Sequence, residues 1–312
     1  MNTSTHYLAI LGGAIVLVSA VTASSAAQKY SEWSTPINLG PNVNSSAMDR
    51  APAISKDGLS LYFASNRLVD GSSFGEDIYV SQRATRDDEW GPAVNLGPTI
   101  NTSDNEQAPA FSRDGHLMFF ASNRPGGVGT GVDIWVSRRE QTHDDFAWQP
   151  AEHLGAGVNS LTLDEGASYF ENDEVGVPQL YFSSGRLSGG AGKIFVSEQA
   201  ADGSFGPGAL VLELSGLGNT RRPSIRHDGL EIFFGSERAG IPNSQDLWVA
   251  TRETVFDAWS APVNLGSPLN SELVDVQPYI SSDGETLFFA SNRPSGGPTD
   301  LCMSTRTKLP KE

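Results

Sequence analysis

The fold is decided by the stretch Ala64-Ser65-Asn66-Arg67, which recurs four times further along the chain. The recurrences are Ala121-Ser122-Asn123-Arg124, Ser183-Ser184-Gly185-Arg186, Gly235-Ser236-Glu237-Arg238 and Ala290-Ser291-Asn292-Arg293. Intervals of 52 to 62 residues separate the successive arginines. Self-similarity at such a spacing is typical of a repeat architecture. The chain is therefore built from five copies of one unit.

Each unit contains three apolar, β-prone runs and one aromatic-proline-leucine element, which we interpret as four short strands. In the first unit the three runs are 51–55, 59–64 and 77–80. The pair Asp57-Gly58 separates the first two runs and predicts a tight hairpin turn. The fourth element, Trp90-Pro92-Leu96, contains a proline. Because proline has no N–H to donate, we expect this element at the outer edge of the sheet.

Four-stranded sheets repeated around an axis form a β-propeller. We predict an all-β, five-bladed β-propeller of four-stranded antiparallel blades, forming a single domain over residues 28–312. The blades are expected at about 49–98, 106–156, 164–212, 220–267 and 275–306. The fifth unit lacks its own aromatic-proline-leucine element, whereas Trp33-Pro36-Leu39 precedes the first unit. The N-terminal strand at 31–40 is therefore predicted to complete the last blade and close the ring.

The N-terminus has the pattern of a secretory signal peptide. Residues 8–21 are apolar, small residues follow, and the first charge is Lys29. We predict a cleaved signal over 1–27 and a periplasmic or secreted protein. A retained membrane anchor is the alternative, but the apolar run is shorter than the roughly 20 residues that span a bilayer. We expect no membrane insertion after cleavage.

Charge and cysteine content narrow the class of protein further. The formal net charge of −16 repels nucleic acid and anionic membrane surfaces, so neither is an expected partner. Cys302 is the only cysteine, and no internal disulfide is possible. We interpret it as a buried structural thiol, and we expect a monomer.

The motifs of the unit resemble a known family of repeats. Pro52-Ala53-Ile54-Ser55, then Leu61-Tyr62-Phe63-Ala64-Ser65-Asn66-Arg67 and Asp77-Ile78-Tyr79-Val80, look like TolB-type (WD-repeat-like) bacterial β-propeller repeats. The resemblance covers 33–306 and implies a binding or scaffold module for a protein or glycan, without covalent chemistry. The third unit departs from it, with Ala167 for proline and Lys193 for aspartate. We expect blade 3 to carry any adapted function.

The residues that precede the inner strands are predicted to lie on the rim of the central channel. Four of the five units have a carboxylate there, and the fourth unit has a threonine: Asp49, Glu106, Asp164, Thr220 and Asp275. The next positions are Arg50, Gln107, Glu165, Arg221 and Val276. One interpretation is that the acids cap turns. Another is a ligand or cation pocket formed by Asp49, Arg50, Glu106, Asp164, Glu165, Arg221 and Asp275.

A third interpretation is hydrolysis. Five-bladed propeller glycosidases place carboxylates at the central cavity, where one is a general acid and another a base or nucleophile. The catalytic candidates are then Asp49, Asp164, Glu165 and Asp275, and a secreted glycoside hydrolase is the alternative function. The histidines have no metal-ligand spacing. We expect no cofactor, and a cation bound by the rim carboxylates is the one exception left open.

The arginines of the repeat have a different interpretation. Recurrence in every unit indicates a packing role, with charge-assisted hydrogen bonds to neighbouring aspartates or carbonyls. The arginines are Arg67, Arg124, Arg186, Arg238 and Arg293. The acids that begin the third strands, such as Asp77, are interpreted in the same way.

Overall fold

The computed structural model describes residues 30–68, 75–129, 131–187, 192–216, 218–237 and 245–310. These residues form five antiparallel sheets of four strands each, and the five sheets pack side by side as the blades of a propeller. The predicted fold class is confirmed. The predicted signal segment 1–27 lies outside the described residues. Within them, no helix is long and apolar enough to cross a membrane.

The strands follow the order of the repeats, from the channel outward in each blade. Blade 1 contains β2 (Asp49–Ile54), β3 (Ser60–Ser65), β4 (Asp77–Gln82) and β5 (Val94–Asn95). Blade 2 contains β6 (Glu106–Phe111), β7 (Leu117–Ser122), β8 (Asp133–Arg138) and β9 (Glu152–His153). Blade 3 contains β10 (Asp164–Phe170), β11 (Gln179–Ser184), β12 (Lys193–Glu198) and β13 (Ala209–Leu210). Blade 4 contains β14 (Thr220–Ile225), β15 (Glu231–Ser236), β16 (Asp246–Thr251) and β17 (Val263–Asn264).

Blade 5 closes the ring with a strand from the other end of the chain. It contains β18 (Asp275–Ile280), β19 (Thr286–Ser291), β20 (Asp300–Thr305) and the N-terminal β1 (Ile37–Asn38). Ile37 pairs with Met303, and Asn38 pairs with Cys302. The guanidinium of Arg306 lies 4.6 Å from the ring centroid of Trp33, next to this strand. The predicted closure is confirmed, and it covers the edge that β20 would otherwise expose.

Aromatic residues in the second strand of each blade form the core between blades. Adjacent residues of a strand face opposite sides of the sheet, so one aromatic pair per blade packs against both neighbouring blades. The pairs are Tyr62 and Phe63, Phe119 and Phe120, Tyr181 and Phe182, Phe233 and Phe234, and Phe288 and Phe289, all buried. Burying one such ring contributes about 1.5–3 kcal/mol.

Cys302 lies in the middle of β20 and is buried beside this core. Burial disfavours the thiolate and raises the pKa of Cys302 to about 11. A thiol with such a pKa stays protonated near neutrality and is a poor nucleophile. The prediction of a buried structural thiol is confirmed.

Candidate functional site

The inner strand of every blade contains a β-bulge that shapes the central channel. The register shifts immediately after the first two residues, as between Arg50 and Ala53 in blade 1. The residue in the bulge has a positive φ: Ala51 (53°), Ala108 (54°), Gly166 (64°), Arg222 (55°) and Gln277 (58°). Together with the residues that follow them, these five form a ring around a constriction of the channel. The cavity enclosed there has a volume of only about 20 Å³. A bulge changes the direction in which the neighbouring side chains point. The ring of five bulges separates an upper cavity of the channel from a lower one.

The rim carboxylates Asp49, Glu106, Asp164 and Asp275 do not face the channel. All four are fully buried inside their blades. Asp49 accepts hydrogen bonds from the backbone N–H and the hydroxyl of Ser45 and lies 2.6 Å from Arg67 Nη2. Glu106, Asp164 and Asp275 bind Arg124, Arg186 and Arg293 in the same way. Because strand side chains alternate, the next residue faces the other side of the blade.

These contacts correct the proposed roles of Asp49, Glu106, Asp164 and Asp275 as ligand-binding or catalytic residues. Each carboxylate holds its turn and the arginine of its repeat, as the turn-capping interpretation predicts. The packing role of Arg67, Arg124, Arg186 and Arg293 is confirmed by the same ion pairs. The fifth arginine of the repeat, Arg238, lies outside the described residues.

Replacing Asp275 with asparagine is expected to lower the free energy of unfolding by about 3 kcal/mol. The substitution removes the fully buried anion that pairs with Arg293 and accepts from the Ser291 hydroxyl, and it puts an amide in a site built for a charge. It also weakens the hydrogen bond that the side chain at position 275 accepts from the backbone N–H of Ser271. Urea unfolding followed by tryptophan fluorescence measures this loss. If the folded variant instead lost ligand binding with unchanged stability, the structural assignment of Asp275 would be wrong.

The second position of each inner strand lines a cavity at the upper end of the channel, which we call the mouth cavity. It has a volume of about 340 Å³, and its polar wall consists of Arg50, Gln107, Glu165, Arg221, Arg222, Gln245 and Gln277. Arg50, Glu165 and Arg221 were predicted at a ligand-binding rim, and the structure brings these three together. Val276 supplies part of the apolar wall.

A continuous chain of hydrogen bonds crosses the mouth cavity. Glu165 Oε2 accepts a hydrogen bond of 2.6 Å from Arg222 Nη2, which also donates to Gln107 Oε1 at 3.0 Å. Gln107 Oε1 accepts a second bond, of 2.7 Å, from Arg50 Nη2. Arg50 in turn pairs with Glu76, through 2.7 Å and 2.5 Å contacts. Side chains from four blades are thus locked to one another across the channel.

The charge state of Glu165 follows from its neighbours. Burial by itself would raise the pKa of Glu165, but the charges of Arg222, Arg221 and Arg50 outweigh burial and lower that pKa. Glu165 is therefore an anion across the neutral pH range. A carboxylate of this kind is a weak base, and it suits a role that needs a permanent negative charge.

Blade 3 provides the space for this network through Gly166. A Cβ on Gly166 would lie 2.8 Å from the Cα and Cγ of Arg222, and φ at Gly166 is also in the left-handed region. Only glycine lets the Arg222 side chain cross towards Glu165. Blade 3 thus contributes the buried acid and the room for its partner, and its adapted function stays a prediction.

A groove adjoins the mouth cavity and shares Arg50 and Gln107 with it. Glu76 lines this groove and is the second carboxylate of the site, with its side chain 9% exposed. Among the described residues, no group of three or more histidine, cysteine or carboxylate side chains is placed to hold a metal ion. The chemistry available in this part of the chain is that of carboxylates, guanidinium groups and amides.

The lower end of the channel holds a smaller cavity of about 90 Å³, lined by Arg113, Tyr169, Glu171 and His227 among others. Burial raises the pKa of Glu171, and burial lowers the pKa of His227. The ring at the bulges separates this cavity from the mouth cavity. Glu171 therefore cannot act on the same bond as Glu165.

Comparison with known proteins bears on this arrangement. Neither a protein-family model nor a curated protein matches the sequence. Among solved structures, the α-L-arabinofuranosidase from Lactobacillus brevis matches with a TM-score of 0.59 and 12% identity, over 86% of this chain and 92% of that one. An α-L-arabinofuranosidase from Podospora anserina matches with a TM-score of 0.57 and 11% identity, over 90% of this chain and 97% of that one. The endo-arabinase from Bacteroides thetaiotaomicron matches with a TM-score of 0.54 and 16% identity, over 91% of this chain and 99% of that one.

These matches correct the predicted function. The TolB-type resemblance implied a binding or scaffold protein, whereas the three solved structures named above, matched over 92% to 99% of their own length, are glycoside hydrolases. The alternative prediction, a secreted carbohydrate-active enzyme, agrees with them better. At 11% to 16% identity, the likeness itself shows the fold.

Sequence reasoning missed Arg222, Gln277 and Glu76. Arg222 and Gln277 stand immediately before the inner-strand prolines Pro223 and Pro278, where the other blades have Ala51, Ala108 and Gly166. A long polar side chain among alanine and glycine was the available signal. Glu76 belongs to the loop before β4, and nothing in the repeat pattern indicated that Arg50 would reach it.

Proposed function

We propose that this chain is a glycoside hydrolase that cleaves a glycan in the mouth cavity. The observation that carries the proposal is Glu165, a buried anion on the wall of a cavity of about 340 Å³ at the centre of the ring. Pockets of roughly 300–1,000 Å³ suit small ligands, and this one is open to the upper face of the propeller. The glycosidase fold of the solved structures supports the same class of chemistry.

Two carboxyl groups share the work of breaking a glycosidic bond. Glu165 is assigned the permanent anion, facing the positive charge that develops at the anomeric carbon in the transition state. Glu76, once released from Arg50 and protonated, is assigned the proton donor to the departing sugar oxygen, and a water molecule supplies the oxygen that bonds to the anomeric carbon. Arg50 holds Glu76 in the free protein at 2.5 Å, so this second role requires the ligand to draw Arg50 away from Glu76.

An export route fits this proposal, because polysaccharides are encountered outside the cytoplasm. The periplasmic or secreted location rests on the predicted signal over 1–27. The proposed monomeric state rests on a ring that one chain closes by itself. The exclusion of nucleic acid as a partner rests on the formal net charge of −16.

The test is a screen for glycan cleavage by the purified mature protein. Neutral and acidic polysaccharides, their oligosaccharides and aryl glycosides are incubated with the protein, and new reducing ends or released phenol are measured. We expect turnover on at least one substrate that is absent in Glu165→Gln. Failure to cleave or bind any member of the panel would overturn the proposal.

A further inference from the structure

The mouth cavity and its groove carry an excess of positive charge, opposite in sign to the chain as a whole. Three guanidinium groups, Arg50, Arg221 and Arg222, face two carboxylates, Glu76 and Glu165. Counted over the side chains that line the mouth cavity and the groove, the balance is one positive charge, in a protein whose formal net charge is −16. Glu237, which accepts a hydrogen bond from Gln245 on the cavity wall, lies behind this lining. Arginine is the side chain best suited to bind carboxylate in a planar, two-point geometry. The cavity is therefore complementary to an anion.

The side chain of Arg222 gives a second, independent indication that the mouth cavity binds a ligand. Its side chain is only 8% exposed, and its Nη2 is occupied by Glu165 and Gln107. Its Nη1 is buried and makes no hydrogen bond in the described part of the chain. A buried guanidinium N–H without an acceptor costs free energy that a bound acceptor recovers. Arg222 lies where the mouth cavity meets the ring of bulges, so a ligand oxygen bound at the base of the cavity would satisfy Nη1 once the guanidinium turns towards it.

We propose that the sugar unit recognised in the mouth cavity is a uronic acid, with its carboxylate bound by Arg222 and the neighbouring arginines. This inference rests on the proposed function and names the substrate class of that same site. Carboxylate is favoured because it fits the guanidinium plane and because one such group brings the local charge balance to zero.

Charge balance also bears on the reaction. Glycoside cleavage builds positive charge on the sugar ring, and a cavity with an excess of arginine opposes that charge. A uronate carboxylate cancels the excess before the transition state is reached. It also competes with Glu76 for Arg50, whose Nη2 is shared between Glu76 and Gln107. A neutral sugar does neither, so neutral glycans are expected to bind weakly and react slowly.

The experiment compares a trimer of galacturonic acid with its methyl ester, which has nearly the same shape and no charge. Calorimetric titration of the intact mature protein is expected to give at least tenfold tighter binding of the acid. Arg222→Gln should lose at least tenfold in affinity for the acid. The matched control Arg86→Gln, which removes an exposed arginine paired with Asp283, should bind as the unaltered protein does.

The outcomes separate this inference from the proposed function. Equal affinity for the acid and the ester would overturn the uronate assignment, and cleavage of neutral glycans in the screen would then leave the hydrolase proposal standing. Tighter binding of a sulfated trimer of the same length would also overturn the carboxylate assignment. The acid and ester are compared on the unaltered protein, so this comparison decides the matter even if Arg222→Gln does not fold.

Discussion

Replacing Glu165 with glutamine is expected to lower kcat for the glycan that the protein cleaves by about a thousandfold, within the range that catalytic side chains contribute. Glutamine has nearly the same shape and still accepts from Arg222, but it carries no negative charge to face the developing cation. KM should change much less, because Gln107, Gln277 and Arg221 continue to line the cavity. Steady-state kinetics on the best substrate of the screen measures both constants.

The same variant has a predictable effect on stability. The pKa of Glu165 is lowered in the folded protein, so its ionised form stabilises the fold above the unfolded pKa of about 4.3. That contribution is lost as the pH falls through the folded pKa. Glu165→Gln should therefore be less stable than the unaltered protein at pH 7, by about 3 kcal/mol, and the difference should shrink below about pH 4.

The control for this prediction is Glu152→Gln, which removes one carboxylate on the exposed outer strand β9. It should change neither kcat nor stability by a measurable amount. A folded Glu165→Gln protein that retains more than about a tenth of the activity, against the usual 10²-fold or greater loss, would show that Glu165 is not the reacting anion.

Replacing Asp145 with alanine is expected to give the largest loss of stability of any single change considered, about 4 kcal/mol or more. Asp145 is buried in the loop between β8 and β9 of blade 2, and its carboxylate reaches into blade 1. It accepts hydrogen bonds from Ser60, from Tyr62 at 2.6 Å and from Gln82 at 2.7 Å. It also pairs with the buried Arg139 at 3.0 Å.

The physical reason is that alanine leaves several buried partners unsatisfied together. Arg139, which lies over the Trp148 ring at 4.3 Å, would become a buried cation without its anion. The Tyr62 hydroxyl, whose pKa is raised chiefly by burial and then by the Asp145 charge, would lose its acceptor. Because these groups join blades 1 and 2, the loss weakens the interface between the two blades.

Urea unfolding of Asp145→Ala beside Asp144→Ala measures the effect. Asp144 is exposed and caps only its own loop, through the N–H of Phe146, so its replacement should cost less than about 1 kcal/mol. A loss below about 1 kcal/mol in Asp145→Ala, far under the usual 3–5 for a broken buried pair, would show that the network does not hold the two blades together.

The repeat pattern alone determined the strands, their order and the closure of the ring. Period-two alternation, the Asp-Gly turns and the proline of each outer strand are local signals, and local backbone preferences are enough to place them. The same holds for Arg67 and its equivalents: recurrence at one position of every unit indicated a contact that each blade makes within itself, and the structure shows those contacts.

The site was decided by tertiary structure. Asp49 and Arg50 are neighbours in the sequence, yet one is sealed inside a blade and the other lines the mouth cavity. Which of the two faces the channel depends on how the twisted blades pack around the axis. The meeting of Arg50 and Glu76 of blade 1 with Gln107, Glu165 and Arg222 of the next three blades also arises only when the blades pack around the axis. Residues that recur in every unit make contacts within their own blade, and the sequence pattern reveals them. The residues of a site at the axis differ from blade to blade, and their contacts form only when the blades pack together.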